Sequence, residues 1–185
     1  LGASAVNTTD NDKDNVRYLY DWRLNGTSMA IVNLPFELNG TGGSEGNWTT
    51  VRDYSTFGNN LEYNGTINTM SKWNATGGYD GKGAYEFDGT DDYLDSTATS
   101  SETTNNITIT AWIRSNVASQ NSYSGVVMTR DGTQHGILVS GGGSNQIAYI
   151  WDGAGDEYNA ASGHTFTPGV WQFIALVVEP TKATL

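Results

Sequence analysis

The stretch Gly83-Ala84-Tyr85-Glu86-Phe87-Asp88-Gly89-Thr90-Asp91-Asp92-Tyr93-Leu94-Asp95 decides how the rest of the chain is read. Apolar residues alternate on each side of a Gly-Thr-Asp turn, which predicts a strand, a turn and a second strand. Outward from it the pattern persists. Segments 106–114 and 169–178 read as longer core strands, and 125–130, 136–140 and 146–151 as short ones separated by Asp-Gly and Gly-Gly-Gly turns. That spacing is expected of an antiparallel sandwich. No segment has a 3.6-residue apolar period longer than a turn, and there is no internal repeat.

The composition agrees. Gly at 23, Trp at 6 and Tyr at 10 in 185 residues, with 16% charged residues, is a turn-rich and β-rich usage. Net charge −11 and a pI near 4.3 make nucleic acid and anionic lipid poor partners and cations better ones. Without Cys, no disulfide staples the fold and redox chemistry gives no compartment. No apolar run approaches the ~18–20 residues of a membrane span, so no membrane insertion is expected of this segment.

The motif Gly83-x-Tyr85-x-Phe87-Asp88-Gly89-x-Asp91-Asp92-Tyr93 resembles the core signature of LamG-like domains of the concanavalin A-like lectin/glucanase superfamily. Asn106-Ile-Thr-Ile-Thr-Ala-Trp-Ile-Arg114 and Gly169-Val-Trp171-Gln-Phe-Ile-Ala-Leu-Val-Val178 look like that family's following core strands. Ala30–Glu37 resembles its opening strand, with Pro35 at an edge or bulge. The resemblance implies an all-β, two-sheet antiparallel jelly-roll sandwich over 28–185. Its inner lining would include Tyr85, Phe87, Trp112 and Trp171.

Residues 1–15 are polar and aperiodic, and Val16–Gly26 alternates like a strand that ends in an Asn-Gly turn. Residues 1–27 therefore read as an arm and the stub of a preceding Ig-like module. At the other end, family members carry further strands than this chain does. Either the sandwich is incomplete at its C-terminus, or a neighbouring molecule supplies the strand by exchange at that edge.

The fold houses glucanases, whose strands carry Glu-x-Asp-x-(x)-Glu with carboxyls ~5–5.5 Å apart. Glu86-Phe87-Asp88 imitates the first half, but the second Glu is absent and Gly89 breaks the strand. No catalytic residue is assigned. His135 and His164 lack partners at zinc spacing, and no nucleophile elbow or phosphate-cradling loop occurs.

Calcium is the cofactor the chain fits best, because the loop that holds Asp53, Ser55 and Asn59 offers carboxylate, Asn amide and backbone carbonyl oxygens close together. Similar loops in LamG-like domains hold a structural Ca²⁺, which would pin the loop. The alternative is an Asx-turn. Asp91 with Asp92 and Asp95 forms a second acidic cluster, and Asp152 with Asp156 and Glu157 a third. For sugars, Trp48, Trp73, Trp151 and Tyr158 lie in or beside loops, where a ring can stack on a sugar face. Seven Asn-x-Thr triplets, at Asn7, Asn25, Asn39, Asn47, Asn64, Asn74 and Asn106, are candidate glycosylation sites and argue for an extracellular chain. The expectation is a non-catalytic module of a larger cell-surface protein, a structural building block of an array or filament or an adhesion unit. Its partners would be neighbouring copies or modules, or glycans; a carbohydrate-binding module is the alternative and a glycoside hydrolase a distant one.

Overall fold

The computed structural model describes residues 17–38, 50–64, 72–96, 106–121, 123–129, 134–139, 146–151 and 162–185. Every regular element among them is a strand, and every named pairing is antiparallel. The chain divides into two units, Leu1–Ser100 and Ser101–Leu185.

In the first unit, β1 (Arg23–Leu24) and β2 (Thr27–Ser28) flank the turn Asn25-Gly26, whose φ angles are 52° and 87°. Two consecutive positive φ values give the type I′ hairpin turn, which Asn and Gly adopt at least cost. The hairpin spans the boundary expected between 27 and 28, and the Ser28 hydroxyl donates to Asp21 Oδ2 at 2.7 Å. Residues 1–16 of the expected arm lie outside the described residues. β3 (Thr50–Val51) and β4 (Leu61–Asn64) pair, β5 (Lys72–Asn74) pairs with β6 (Ala84–Glu86), and β7 (Tyr93–Asp95) returns to the other edge of β4.

The two strands of the quoted stretch therefore exist but join different sheets. Thr90 N–H donates to Asp88 Oδ1 at 2.7 Å, Asp88 N–H donates to Asp92 Oδ2 at 2.9 Å, and Gly89 has φ 78°. These local bonds turn the chain away before the strands can pair.

Tyr85 is the buried hub of this unit. Phe36 and Tyr63 meet its ring edge-on at centroid distances of 5.1 and 5.5 Å. Phe87, expected beside it in the core, is instead 47% exposed, because β6 ends at Glu86 and the turn begins. Ala30–Glu37 forms no ladder; side chains and one backbone bond, from Tyr54 N–H to Asn33 O at 2.9 Å, hold it in place of a sheet. Gly83 shows how closely it packs. A Cβ there would overlap Phe36 O and stand 2.9 Å from both Glu37 Cα and Trp73 Nε1.

The second unit is the sandwich. β8 (Ile107–Ile113), β12 (Gln172–Glu179) and β13 (Lys182–Thr184) make one sheet in the order β13-β12-β8; β9 (Gly125–Thr129), β10 (His135–Val139) and β11 (Ile147–Ile150) make the other, in the order β11-β10-β9. Ile137, Val139, Ile147 and Phe166 meet Ile174, Leu176 and Val178 in one buried cluster, with Ile107, Ile109, Ala111 and Ile113 packed against it. Period-two alternation puts these residues on one face.

The opposite face of β8 and β12 is not buried. Trp112 is 44% exposed and Phe173 55%, so the expectation that Trp112 lines the core is corrected. The same alternation leaves one face of Gln172–Glu179 buried and the other open. Trp171 is half-buried, with the Arg114 guanidinium 5.3 Å from its ring centroid.

Candidate functional site

Asp53 follows β3 and is only 3% exposed. Its Oδ1 accepts the N–H groups of Asn33 and Ser55 at 2.8 and 2.9 Å. Its Oδ2 accepts the Ser55 hydroxyl at 2.6 Å and the Asn59 N–H at 2.8 Å. The Asn59 amide donates to Ile31 O at 3.0 Å, and Asp53 N–H donates to Asn60 Oδ1 at 3.0 Å. A buried carboxylate accepting four donors is a charge-assisted knot that ties loop 53–60 to the chain at 31–33. Burial alone would raise its pKa, but the bonds from Ser55, Asn33 and Asn59 outweigh that and hold it below the ordinary aspartate value.

That geometry bears on the expected calcium loop. A carboxylate has about four lone-pair positions, and at Asp53 each is taken by an N–H or O–H donor. The three residues are brought together as the sequence predicted, but as an Asx-turn knot with no carboxylate oxygen left for a cation. They do not fit a Ca²⁺ site in this arrangement.

The second acidic cluster also differs in membership. Carboxylate oxygens of Asp88, Asp91 and Asp92 lie within 4.8 Å of one another, whereas Asp95 stands in β7 opposite Glu62. Asp88 and Asp92 spend oxygens on the turn itself. Asp152, Asp156 and Glu157 lie outside the described residues. Glu86, the imitation of a hydrolase carboxylate, accepts the Asn74 amide at 2.8 Å.

Of the four loop aromatics, Trp48 and Tyr158 lie outside the described residues. Trp73 is half-buried and its Nε1 donates to Phe36 O at 2.9 Å. Trp151 packs on the sandwich core, with the His135 ring at 4.9 Å. Both rings are half-buried in these contacts. His135 opens β10.

The aromatic surface is elsewhere. Trp112 and Phe173 stand directly opposite each other on β8 and β12, their rings 5.3 Å apart and tilted by 55°. Val177, 39% exposed, lies on the same face of β12, and Thr110 on the same face of β8. Lys182 and Glu179 at the end of that face neutralise each other at 2.9 Å. Alternation could have found this surface, since Trp112 shares its parity with the threonines and not with the isoleucines; its size argued for the core instead. Beside it, a groove of about 270 Å³ is lined by Ile147, Ser162, His164, Gln172, Phe173 and Leu185. It runs where β12 lies outside its pairing with β13, which covers only Val177 to Glu179.

The family model of the concanavalin A-like lectin/glucanases superfamily matches residues 88–185, just over half of the chain. The chain belongs to that superfamily. Its matched part begins at the Asp88 turn and takes in β7 and the whole described sandwich. No curated protein matches this concanavalin A-like chain, and no solved structure does. Among the described residues no helix is long and apolar enough to cross a membrane.

Proposed function

We propose that this concanavalin A-like chain is a non-catalytic, extracellular module of a larger cell-surface protein, a building block that meets a neighbouring copy through the outer face of the β13-β12-β8 sheet. The observation that carries the reading is the exposed Trp112–Phe173 pair on that face. Aromatic residues dominate the energetics of protein contacts. The face is also electrically quiet. On a chain of net charge −11, the Lys182–Glu179 ion pair leaves a patch where two copies approach without acid opposing acid. The seven Asn-x-Thr triplets support an extracellular setting.

Sedimentation velocity over a range of concentrations tests it. The wild type is expected to associate, and the double variant Trp112→Thr with Phe173→Thr to remain monomeric. Monomeric behaviour of both at high concentration contradicts the reading.

A second reading, a carbohydrate-binding module, draws on the same pair, since two adjoining rings beside the Thr110 hydroxyl can stack a sugar and bond it. A glycan array separates the two: a specific signal lost in Trp112→Thr favours the lectin.

A further inference from the structure

The β1–β2 hairpin carries a chemistry that the sheet contact does not use. Its pairing places Leu24 opposite Thr27 and Arg23 opposite Ser28, and Met29 N–H donates to Trp22 O at 2.7 Å. Cross-strand partners share a face and neighbours along a strand alternate. Trp22, Leu24, Thr27 and Met29 therefore lie on one face, Arg23 and Ser28 on the other.

The second face turns inward. Ser28 is 6% exposed, its N–H donates to Thr56 Oγ1 at 2.9 Å, and its Oγ accepts Thr56 N–H at 2.7 Å. The first face turns outward. Trp22 is 47% exposed, Leu24 68% and Met29 70%. Three large apolar side chains on a short hairpin are costly to leave in water. At the tip of the same hairpin stand the exposed Asn25, Gly26 and Thr27, an Asn-x-Thr acceptor in a tight turn.

We propose that Asn25 is an N-glycosylation site and that its first sugars lie over Trp22, Leu24 and Met29. The C–H face of a sugar covers such side chains while its hydroxyls keep their water. The donor is an oligosaccharide on a polyprenyl phosphate carrier. In the transfer Asn25 Nδ2 bonds to the anomeric carbon, the anomeric C–O bond to phosphate breaks, and the carrier phosphate leaves with the electron pair. One amide proton passes to a base of the transferase.

The other acceptors differ in setting. Asn74 donates its amide to Glu86 Oε1 at 2.8 Å and holds Thr76 N–H on its Oδ1 at 3.1 Å, so a glycan there would undo structure. Asn64 lies within β4, and Asn106 sits exposed one residue before β8. Asn7, Asn39 and Asn47 lie outside the described residues. Among the described acceptors, Asn25 alone joins an acceptor tip to an outward apolar face.

The inference rests on export of the chain, and its test separates the two. Glycopeptide mass spectrometry on protein from its own source is expected to find the Asn25 peptide modified. Oxidative labelling is then compared before and after release by an amidase that leaves Asp, a residue tolerated at positive φ. Labelling of Trp22 and Met29 is expected to rise several-fold on release. Thr27→Val, which keeps a strand former and the turn, is expected to abolish the modification, and Thr27→Ser to retain it. An unmodified Asn25 beside occupied acceptors elsewhere overturns the site and leaves export standing. An occupied Asn25 with unchanged labelling of Trp22 and Met29 overturns the covering role. A chain without glycan recovered from the cytosol removes the export reading itself.

Discussion

Asn33 donates its backbone N–H to Asp53 Oδ1 at 2.8 Å across 20 residues, and that bond joins two stretches no ladder connects. Segment 30–37 was expected to be a strand. A strand would have satisfied its backbone through a neighbour; here Asp53, Ser55, Asn59 and Trp73 do so through side chains.

Asp53→Ala is expected to cost on the order of 3 kcal/mol, since it strands several buried donors at once. Asp53→Asn is expected to cost a similar amount, because an amide puts a donor against donors. The pH dependence follows from the same bonds. The folded-state pKa of Asp53 is lowered, so its contribution is fully present above the unfolded value of about 3.9 and is lost as pH falls through the folded value. Urea melts in acid should show wild-type stability declining below about pH 4, with Asp53→Asn flatter over that range.

Calcium gives an independent check on the knot. With the oxygens of Asp53 already taken, adding Ca²⁺ or a chelator is expected to leave the thermal midpoint unchanged. A rise in the midpoint on adding Ca²⁺, absent in Asp53→Asn, would show that the loop rearranges to take the ion.

Gly83→Ala is expected to destabilise the first unit by about 2 kcal/mol or more, because the added methyl meets the backbone of Phe36 and Glu37, which cannot step aside cheaply. Proteolysis within 17–96 should quicken. Gly89→Ala meets open space, and only its positive φ opposes it, so a smaller loss is expected there.

In the second unit, Leu176→Ala removes a side chain that is 0% exposed and is expected to cost about 2–5 kcal/mol by chemical denaturation. Trp112→Thr, on the other face of the same sheet, should change the stability of the isolated chain by about 1 kcal/mol or less. A loss as large as that of Leu176→Ala would return Trp112 to the core.

Much of the sandwich was legible in sequence. Strands near 107–113 and 172–179 were read from alternation, and the superfamily from three short motifs. What escaped was the direction of the rings. Phe87 and Trp112 are large and aromatic, which argues for burial, yet a β-strand has two faces and parity chooses between them. At Phe87 the strand ends one residue earlier than its pattern suggests. At Asp53, composition puts a carboxylate, a hydroxyl and an amide in one loop but does not tell whether backbone N–H groups or an ion will meet the carboxylate. The N–H of Asn33 that decides this comes from a distant segment.

Oxidative footprinting of the assembled surface material against the isolated chain shows whether the Trp112–Phe173 face meets a neighbouring copy. Trp112 and Phe173 are expected to be protected in the assembly while Phe57, 51% exposed on a loop of the other unit, is labelled alike in both. Equal labelling of Trp112 and Phe173 in the two preparations would contradict that contact.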